Sequence, residues 1–414
     1  MTILRHYKST MEHPQPSQGV RAWLKDILKK TVFCFVFALL AKYVGVLFLH
    51  FPETLNPLSN KIEDFELSDL CFAHGHRPIA TDSTIFIFRE EAVDRNAMAR
   101  EIGRLEKAGV KAIGIDLTFN SYVQERDLAL IDTINQYKDN IVLGMSAADP
   151  DDMQRLPFYQ QMFTLNDEKG DYNFGYLIAE DREKTKRYFM PYIKKGADTL
   201  NSFSVELFTI ADSIALNALQ KRKTREELIN YRQAFRNESL FMVFDTVPED
   251  VSFSGKIALI GFTDATSIVD RHFTPLNDNS GRSLPDMAGV MYHAQIIAMI
   301  LRADFLSEPG EWLKYGINFL AIFLFMIVYN YLFRFHGLYH LLTEILFLFF
   351  LVPISLTICL LLLNHLNLKI EPTDYIIPVF LSGIGLHLYD PFLQLLKRLK
   401  NTFHPLTKVA HGHP

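Results

Sequence analysis

The placement of the apolar residues most limits what this chain can fold into. Long runs of Leu, Ile, Phe, Val and Tyr at 31–51, 312–333, 338–364 and 375–390 enclose one stretch, 52–311, of ordinary globular make-up. The first run, TVFCFVFALLAKYVGVLFLHF, is long enough to cross a hydrocarbon core of ~30 Å. A signal peptide would have a shorter apolar core of ~7–15 residues and a small-residue cleavage site; this run instead ends in LHFPETLNP. Pro353 predicts a kink in the third run, and Pro378, Gly383 and Gly385 interrupt the fourth. The pattern predicts four transmembrane α-helices, one before the middle stretch and three after it. It excludes a wholly soluble protein, a transporter-like protein and a disordered chain.

Charge divides along the same line. Outside 52–311 there are 14 Lys+Arg and 6 Asp+Glu; inside there are 28 and 41, and the whole 414-residue chain is at −5. An acidic domain does not suit nucleic acid, whose phosphates attract basic patches. Arg5, Lys8, Arg21, Lys25, Lys29 and Lys30 precede the first helix, and Lys397, Arg398, Lys400 and Lys408 follow the last. The positive-inside rule puts both ends in the cytoplasm, and an even helix count requires them to share a side. The expected layout is a cytoplasmic segment 1–30, the helix 31–51, an extracytoplasmic domain 52–311, helices 312–333, 338–364 and 375–390, and a short cytoplasmic tail 391–414. The expected place is the inner (plasma) membrane. Of the cysteines, Cys34 and Cys359 lie in apolar runs and Cys71 is alone in the domain, so no disulfide within the domain is expected.

Within the domain, STIFIF at 83–88, KAIGIDLTF at 111–119 and NIVLGM at 140–145 read as strands. Between them, 95–108 places Met98, Ile102 and Leu105 on one helical face, with Arg100, Glu101, Arg104 and Lys107 on the other; 127–137 is a second helix. Gly109 closes the first helix. This β-α-β-α-β order argues for a largely parallel α/β sheet covered by helices. The stretch 171–193 predicts two antiparallel strands, 202–220 a helix, 221–236 a charged helix, 255–262 a late buried strand and 289–301 a helix leading to the second membrane run.

The order of these segments carries a likeness. GVKAIGIDLTF and RDLALID are followed by RYFMP, then by GKIALIGFTDATSIVDRHFTPL, AGVMYHAQIIAMIL and three membrane helices. The chain resembles the CHASE type-two family, the extracytoplasmic sensory domain associated with cyclases and histidine kinases. The stretch 255–301 carries the most specific part, with Gly261, Asp270, Thr274, Pro275, Gly289, His293 and Ala294 in order. Two departures stand out. Family members keep an acidic I-D-D or I-D-E run at the end of the first strand and then W-P-W-P-R; this chain reads FREE, with Arg89 and Glu90, then VDR. The resemblance also implies an effector module after the last helix, whereas about 25 residues follow Asp390, fewer than the ~50–250 of a domain.

No phosphate loop, dinucleotide fingerprint, zinc-protease motif or nucleophile elbow occurs. His74 and His76, like His411 and His413, form H-x-H pairs without a third ligand nearby in sequence. No catalytic residue, cofactor or metal site is expected. Asp116 and Asp264 lie at or just after the ends of buried strands, where open α/β sheets collect ligands, and Asp270 and Thr274 follow. They read either as a site for a small polar ligand or cation, or as carboxylates that cap helices and brace loops. Lys42, near the middle of the first run, reads either as a snorkelling side chain or as one half of an intramembrane pair with Glu344. The leading expectation is a membrane-anchored sensor that receives an unknown extracytoplasmic ligand and acts through a protein partner, or in a homo-oligomer, rather than by its own catalysis. The alternative is a structural or accessory subunit of an envelope complex that uses the outer domain as a binding platform.

Overall fold

The computed structural model describes residues 19–49, 66–79, 84–89, 94–145, 155–165, 172–177, 185–195, 198–232, 240–241, 247–263, 270–277, 284–333 and 340–409. It divides into two units: one comprises Met1–Ser68, Pro309–Cys359 and Ile370–Pro414, the other Asp69–Glu308 and Leu360–Lys369.

In chain order the elements begin with α1 (Val20–Leu49), α2 (Asp69–His74), β1 (Ile85–Arg89), α3 (Arg95–Lys107), β2 (Ala112–Asp116), α4 (Gln124–Gln136), β3 (Ile141–Met145), α5 (Pro157–Leu165) and β4 (Asn173–Tyr176). Short strands β5 (Tyr188–Phe189), β6 (Tyr192–Lys195) and β7 (Asp198–Asn201) lead to α6 (Phe203–Ala211) and α7 (Ser213–Gln220). Then come β8 (Glu227–Leu228), β9 (Leu240–Phe241), β10 (Ile257–Gly261), β11 (Arg271–His272), β12 (Met287–Ala288) and α8 (Gly289–Leu301). The chain closes with α9 (Glu311–Phe333), α10 (His340–Leu366) and α11 (Thr373–Val409).

The domain is built on a six-stranded sheet in the order β4-β3-β2-β10-β1-β9, with every neighbouring pair parallel. Strand period sorts its side chains. Phe86, Phe88, Ile113 and Ile115 enter one core with Met98, Ile102 and Leu105 of α3 and Leu130, Ile131 and Ile134 of α4. Burying each such side chain contributes roughly 1.5–3 kcal/mol. The opposite face meets α6 so closely that a Cβ on Gly114 would lie 2.7 Å from the Phe203 ring. Asp94 caps α3, its carboxylate accepting from the Asn96 and Ala97 amides at 3.0 and 3.2 Å, and Gly109 leaves the helix with φ +78°. Glu101, expected on the outer face of α3, is buried.

The middle of the domain departs from the sequence reading. The edge strand β4 runs parallel to β3, while β5 pairs antiparallel with β8 and β6 with β7. The helix expected over 202–220 breaks at Asp212, whose carboxylate accepts from the Ile214 and Ala215 amides and starts α7. No charged helix forms in the described part of 221–236. Glu227 is buried there, bonded by Arg222 at 2.9 Å and by the Thr224 hydroxyl, and it anchors β8.

In the other unit α1, α9 and α11 pack around Ile27, Cys34, Ala38, Ile322, Phe325, Met326 and Val379. Among the described residues the helices long and apolar enough to cross a membrane are Glu311–Tyr331, Phe349–Leu366 and Thr373–Lys400; α1 is not among them. α10 is helical through Pro353. α11 continues to Val409, well beyond the 375–390 expected of it. Lys42 meets Asp374 in the first turn of α11, with Nζ 3.4 Å from Oδ1, and Lys314 Nζ stands 4.0 Å from the other carboxylate oxygen. α1 begins at Val20, eleven residues before the expected start at 31, so Lys42 lies well past its middle. The Glu344 side chain lies outside the described residues.

Candidate sensory site at the carboxyl ends of the strands

Asp116 ends β2, level in register with Gly261 at the end of β10. Its side chain is buried, and Oδ2 has no hydrogen-bond partner. Burial, and then the charge of Asp270, hold its carboxyl well above the usual carboxylate range. Thr263, two residues past β10, likewise buries a hydroxyl without a partner. Polar groups left unpaired in a protein interior cost about 1–3 kcal/mol each.

Asp270 adopts φ +56°, a left-handed conformation that Asp tolerates better than most residues. That turn directs its carbonyl to the Gly289 amide at 2.9 Å and lays its carboxylate over the start of α8. A Cβ on Gly289 would come within 2.6 Å of Asp270 Oδ1, so glycine is what admits the carboxylate. Burial pushes the Asp270 pKa up to about 6.

His272 completes the cluster. Its Nε2 lies 3.7 Å from Asp270 Oδ1, beyond hydrogen-bond reach, and has no hydrogen-bond partner. Burial first, then Lys186, lower its pKa to about 4, so the ring is neutral at neutral pH. Lys186 is itself lowered to about 8 by burial, and its amide bonds the Phe273 carbonyl at 2.8 Å. Behind His272 stand Tyr292, at 5.8 Å between ring centroids, and His293, whose Nδ1 is 3.1 Å from Ser204 Oγ.

Of the residues singled out from sequence, Asp116 and Asp270 come together. Thr274 does not join them. Its amide donates to Asp286 Oδ1 at 2.8 Å and its hydroxyl to Oδ2, which closes the turn after β11. Asp264 lies outside the described residues. His272 and Lys186 are members that the sequence reading does not single out. His272 lies two residues past Asp270, and the left-handed turn at Asp270, which no local pattern announces, sets their relation; nothing local points to Lys186. Among the described residues no cluster of three or more His, Cys, Asp or Glu side chains could hold a metal ion.

What the geometry assembles is a buried, acidic, incompletely paired cluster where parallel sheets collect ligands. No curated protein and no solved structure matches the chain. The family model for the CHASE2 domain, an extracytoplasmic sensory domain, matches residues 68–330. That span covers the whole sheet, the cluster at its strand ends and most of α9, well over half of the chain, and the protein belongs to the CHASE2 domain family.

Proposed function

We propose that this protein is a membrane-anchored sensor whose domain binds a small ligand bearing a cationic donor, such as a protonated amine, between Asp116 and Asp270. The observation that carries this reading is the bare, buried Oδ2 of Asp116 beside a second carboxylate. A cationic donor there would supply the missing hydrogen bond and let both groups ionise. Neutral His272 adds a nitrogen that can accept or donate. The domain lies outside the cytoplasm of a cell with an inner membrane, α1 is a fourth crossing, and both termini are cytoplasmic.

Output goes to a partner polypeptide or a second copy. α11 has 37 residues, about 55 Å of helix at ~1.5 Å per residue, against a hydrocarbon core of ~30 Å. The excess carries exposed Leu395, Leu396 and Leu399 beside Lys397, Arg398 and Lys400, a surface suited to a partner helix at the inner face.

The ligand reading is tested by thermal unfolding of the full chain in nanodiscs with a panel of primary amines and diamines. A ligand at a hundred times its Kd adds about 2.7 kcal/mol, and Asp116→Asn should abolish that gain. If no amine stabilises the protein, the ligand class is wrong. Topology is tested separately: an impermeant thiol reagent should label Arg225→Cys in spheroplasts and spare a cysteine placed in the tail. The reverse pattern overturns the orientation.

A further inference from the structure

The segment Leu360–Lys369, which joins α10 to α11, belongs to the same compact unit as the sensory domain, although it lies outside the residues matched by the family model. It is stitched in by its backbone. The Ser307 amide donates to the Asn367 carbonyl and the Lys369 amide to the Ser307 carbonyl, each at 2.9 Å. Asn367 Nδ2 reaches Asp304 Oδ1 at 2.6 Å. Lys369, buried, pairs with Glu308 at 3.3 Å.

The inner end of this strap meets His76. Asn364 donates from Nδ2 to the Gly75 carbonyl at 3.0 Å, and its Oδ1 accepts from the Arg77 amide at 2.9 Å. Those two bonds fix the amide, so it is the oxygen that faces His76 Nδ1, at 3.1 Å. On the other side Asn230 donates from Nδ2 to the Asp304 carbonyl at 3.0 Å, which turns its Oδ1 toward His76 Nε2 at 2.7 Å. Both ring nitrogens therefore face acceptors. A neutral imidazole has one N–H and satisfies one of them; an imidazolium has two and satisfies both.

We propose that His76 is a proton-operated clasp: its second proton makes the bond to Asn364 that fastens the α10–α11 strap to the sensory domain. This goes beyond the ligand reading and stands without it. The charged groups bearing on the ring are Arg232, which opposes the proton, and Asp304, which favours it; they pair with each other at 3.3 Å. Asp69 of α2 is taken up by Arg187. Burial is the largest influence and keeps the ring's pKa below its ordinary value, so the clasp works on the acid side of neutrality. Asn230, Phe72, Arg232 and Asp304 belong to the domain and act on the ring whether or not the strap is seated. The strap adds the Asn364 acceptor, which favours the proton against the burial that opposes it; with Asn364 seated, each N–H of the imidazolium faces an acceptor, which the open state lacks. Whichever state holds the proton more tightly gains as pH falls, so acid should close the clasp.

Hydrogen exchange of the full chain in nanodiscs tests this, read by mass spectrometry on strap peptides and corrected for the intrinsic pH dependence of exchange. A hydrogen bond to a charged group predicts about a tenfold rise in strap protection between about pH 7.5 and about pH 5. In His76→Gln the profile should be flat, although His74 and His365 remain. In Asn364→Asp, which faces the ring with a carboxylate, the rise should move toward neutral pH. If His76→Gln fails to fold, the Asn364→Asp shift decides alone. Protection that is flat or falls with acid in the parent chain overturns the proposal, as does a rise that His76→Gln keeps.

Discussion

Replacing Asp270 by Asn should make the domain more stable at neutral pH, the opposite of the usual result for a buried carboxylate. The carboxyl is raised from 3.8 to about 6, so the folded state binds its proton more tightly than the unfolded chain does. Below about pH 4 both states are protonated and the group costs nothing. As pH rises from about 4 to about 6 the unfolded chain ionises first and the fold is penalised; above about 6 the penalty is complete. At ~1.36 kcal/mol per pH unit the ceiling is about 3 kcal/mol. The side chain is 35% exposed, and solvent screening reduces the expectation to ~1–2 kcal/mol. One effect runs the other way: the carboxylate lies over the first residue of α8, where the helix dipole favours an anion by about 0.3–1 kcal/mol. Burial outweighs it. Calorimetry of the full chain in nanodiscs should show Asp270→Asn melting about 2–8 °C higher near pH 7.5 and level with the parent near pH 4. An Asn variant that melts lower at neutral pH than the parent, while matching it in acid, would show that the helix start wins, and the account of the cluster would be refuted.

Other outcomes follow from single contacts. Gly289→Ala should destabilise the domain by about 1–3 kcal/mol, because its Cβ meets the Asp270 carboxylate; a melting temperature equal to the parent's would mean the carboxylate moves aside freely. Arg187→Met should cost about 3–5 kcal/mol, since it strands buried Asp69, whose Oδ2 lies 2.7 Å from the guanidinium. Arg187→Met with Asp69→Leu should recover most of that loss in the same melting assay. Lys42→Leu should leave the helical unit within about 1 kcal/mol of the parent in unfolding experiments, because Lys314 remains beside Asp374.

The strands of the sheet could be read from the chain because each carries its own signal. Ile85, Phe86, Ile87 and Phe88 are β-branched or aromatic, and runs at 111–119, 140–145 and 255–262 contain β2, β3 and β10. Their spatial order could not. Placing β10 between β1 and β2 joins Ile257 to Ile85 and Ala112, residues more than a hundred positions away along the chain. The same limit hid the partners of polar groups. Asp116 and Asp270 could be proposed from their positions at strand ends, but the bond between His76 and Asn364 spans 288 residues, and neither residue shows a local pattern that calls for the other. Helix propensity misled over the described residues 221–232, where the buried contacts of Glu227 override a run that would suit a solvated helix.

The strand-end cluster and the strap share one segment, and this gives the domain a testable internal route. Thr185 bridges to Phe273, next to His272, and the Lys186 amide bonds the same residue. Two residues on, the Tyr188 hydroxyl donates to Glu308 at 2.9 Å and stands 3.5 Å from Lys369 Nζ, whose ammonium also lies 5.4 Å from the Tyr188 ring centre. Arg187 between them is locked to Asp69, so a displacement at 185 has little slack before it reaches 188. A ligand that draws on His272 would then pull on the strap, and through it on the end of α10. Physical continuity alone does not show coupling; a double-mutant cycle does. His272→Gln and Lys369→Met, singly and together, should show an interaction of at least ~0.5 kcal/mol in domain unfolding, where sites without shared partners add within about 0.3–0.5 kcal/mol. Strap exchange measured on the same four proteins separates a local loss at Lys369 from transmission, because His272→Gln alone should alter protection at 367–369. If the two substitutions add and His272→Gln leaves the strap unchanged, the segment 185–188 is a passive spacer, and whatever reaches the membrane from the strand ends must leave the domain through α8 and the chain leading into α9.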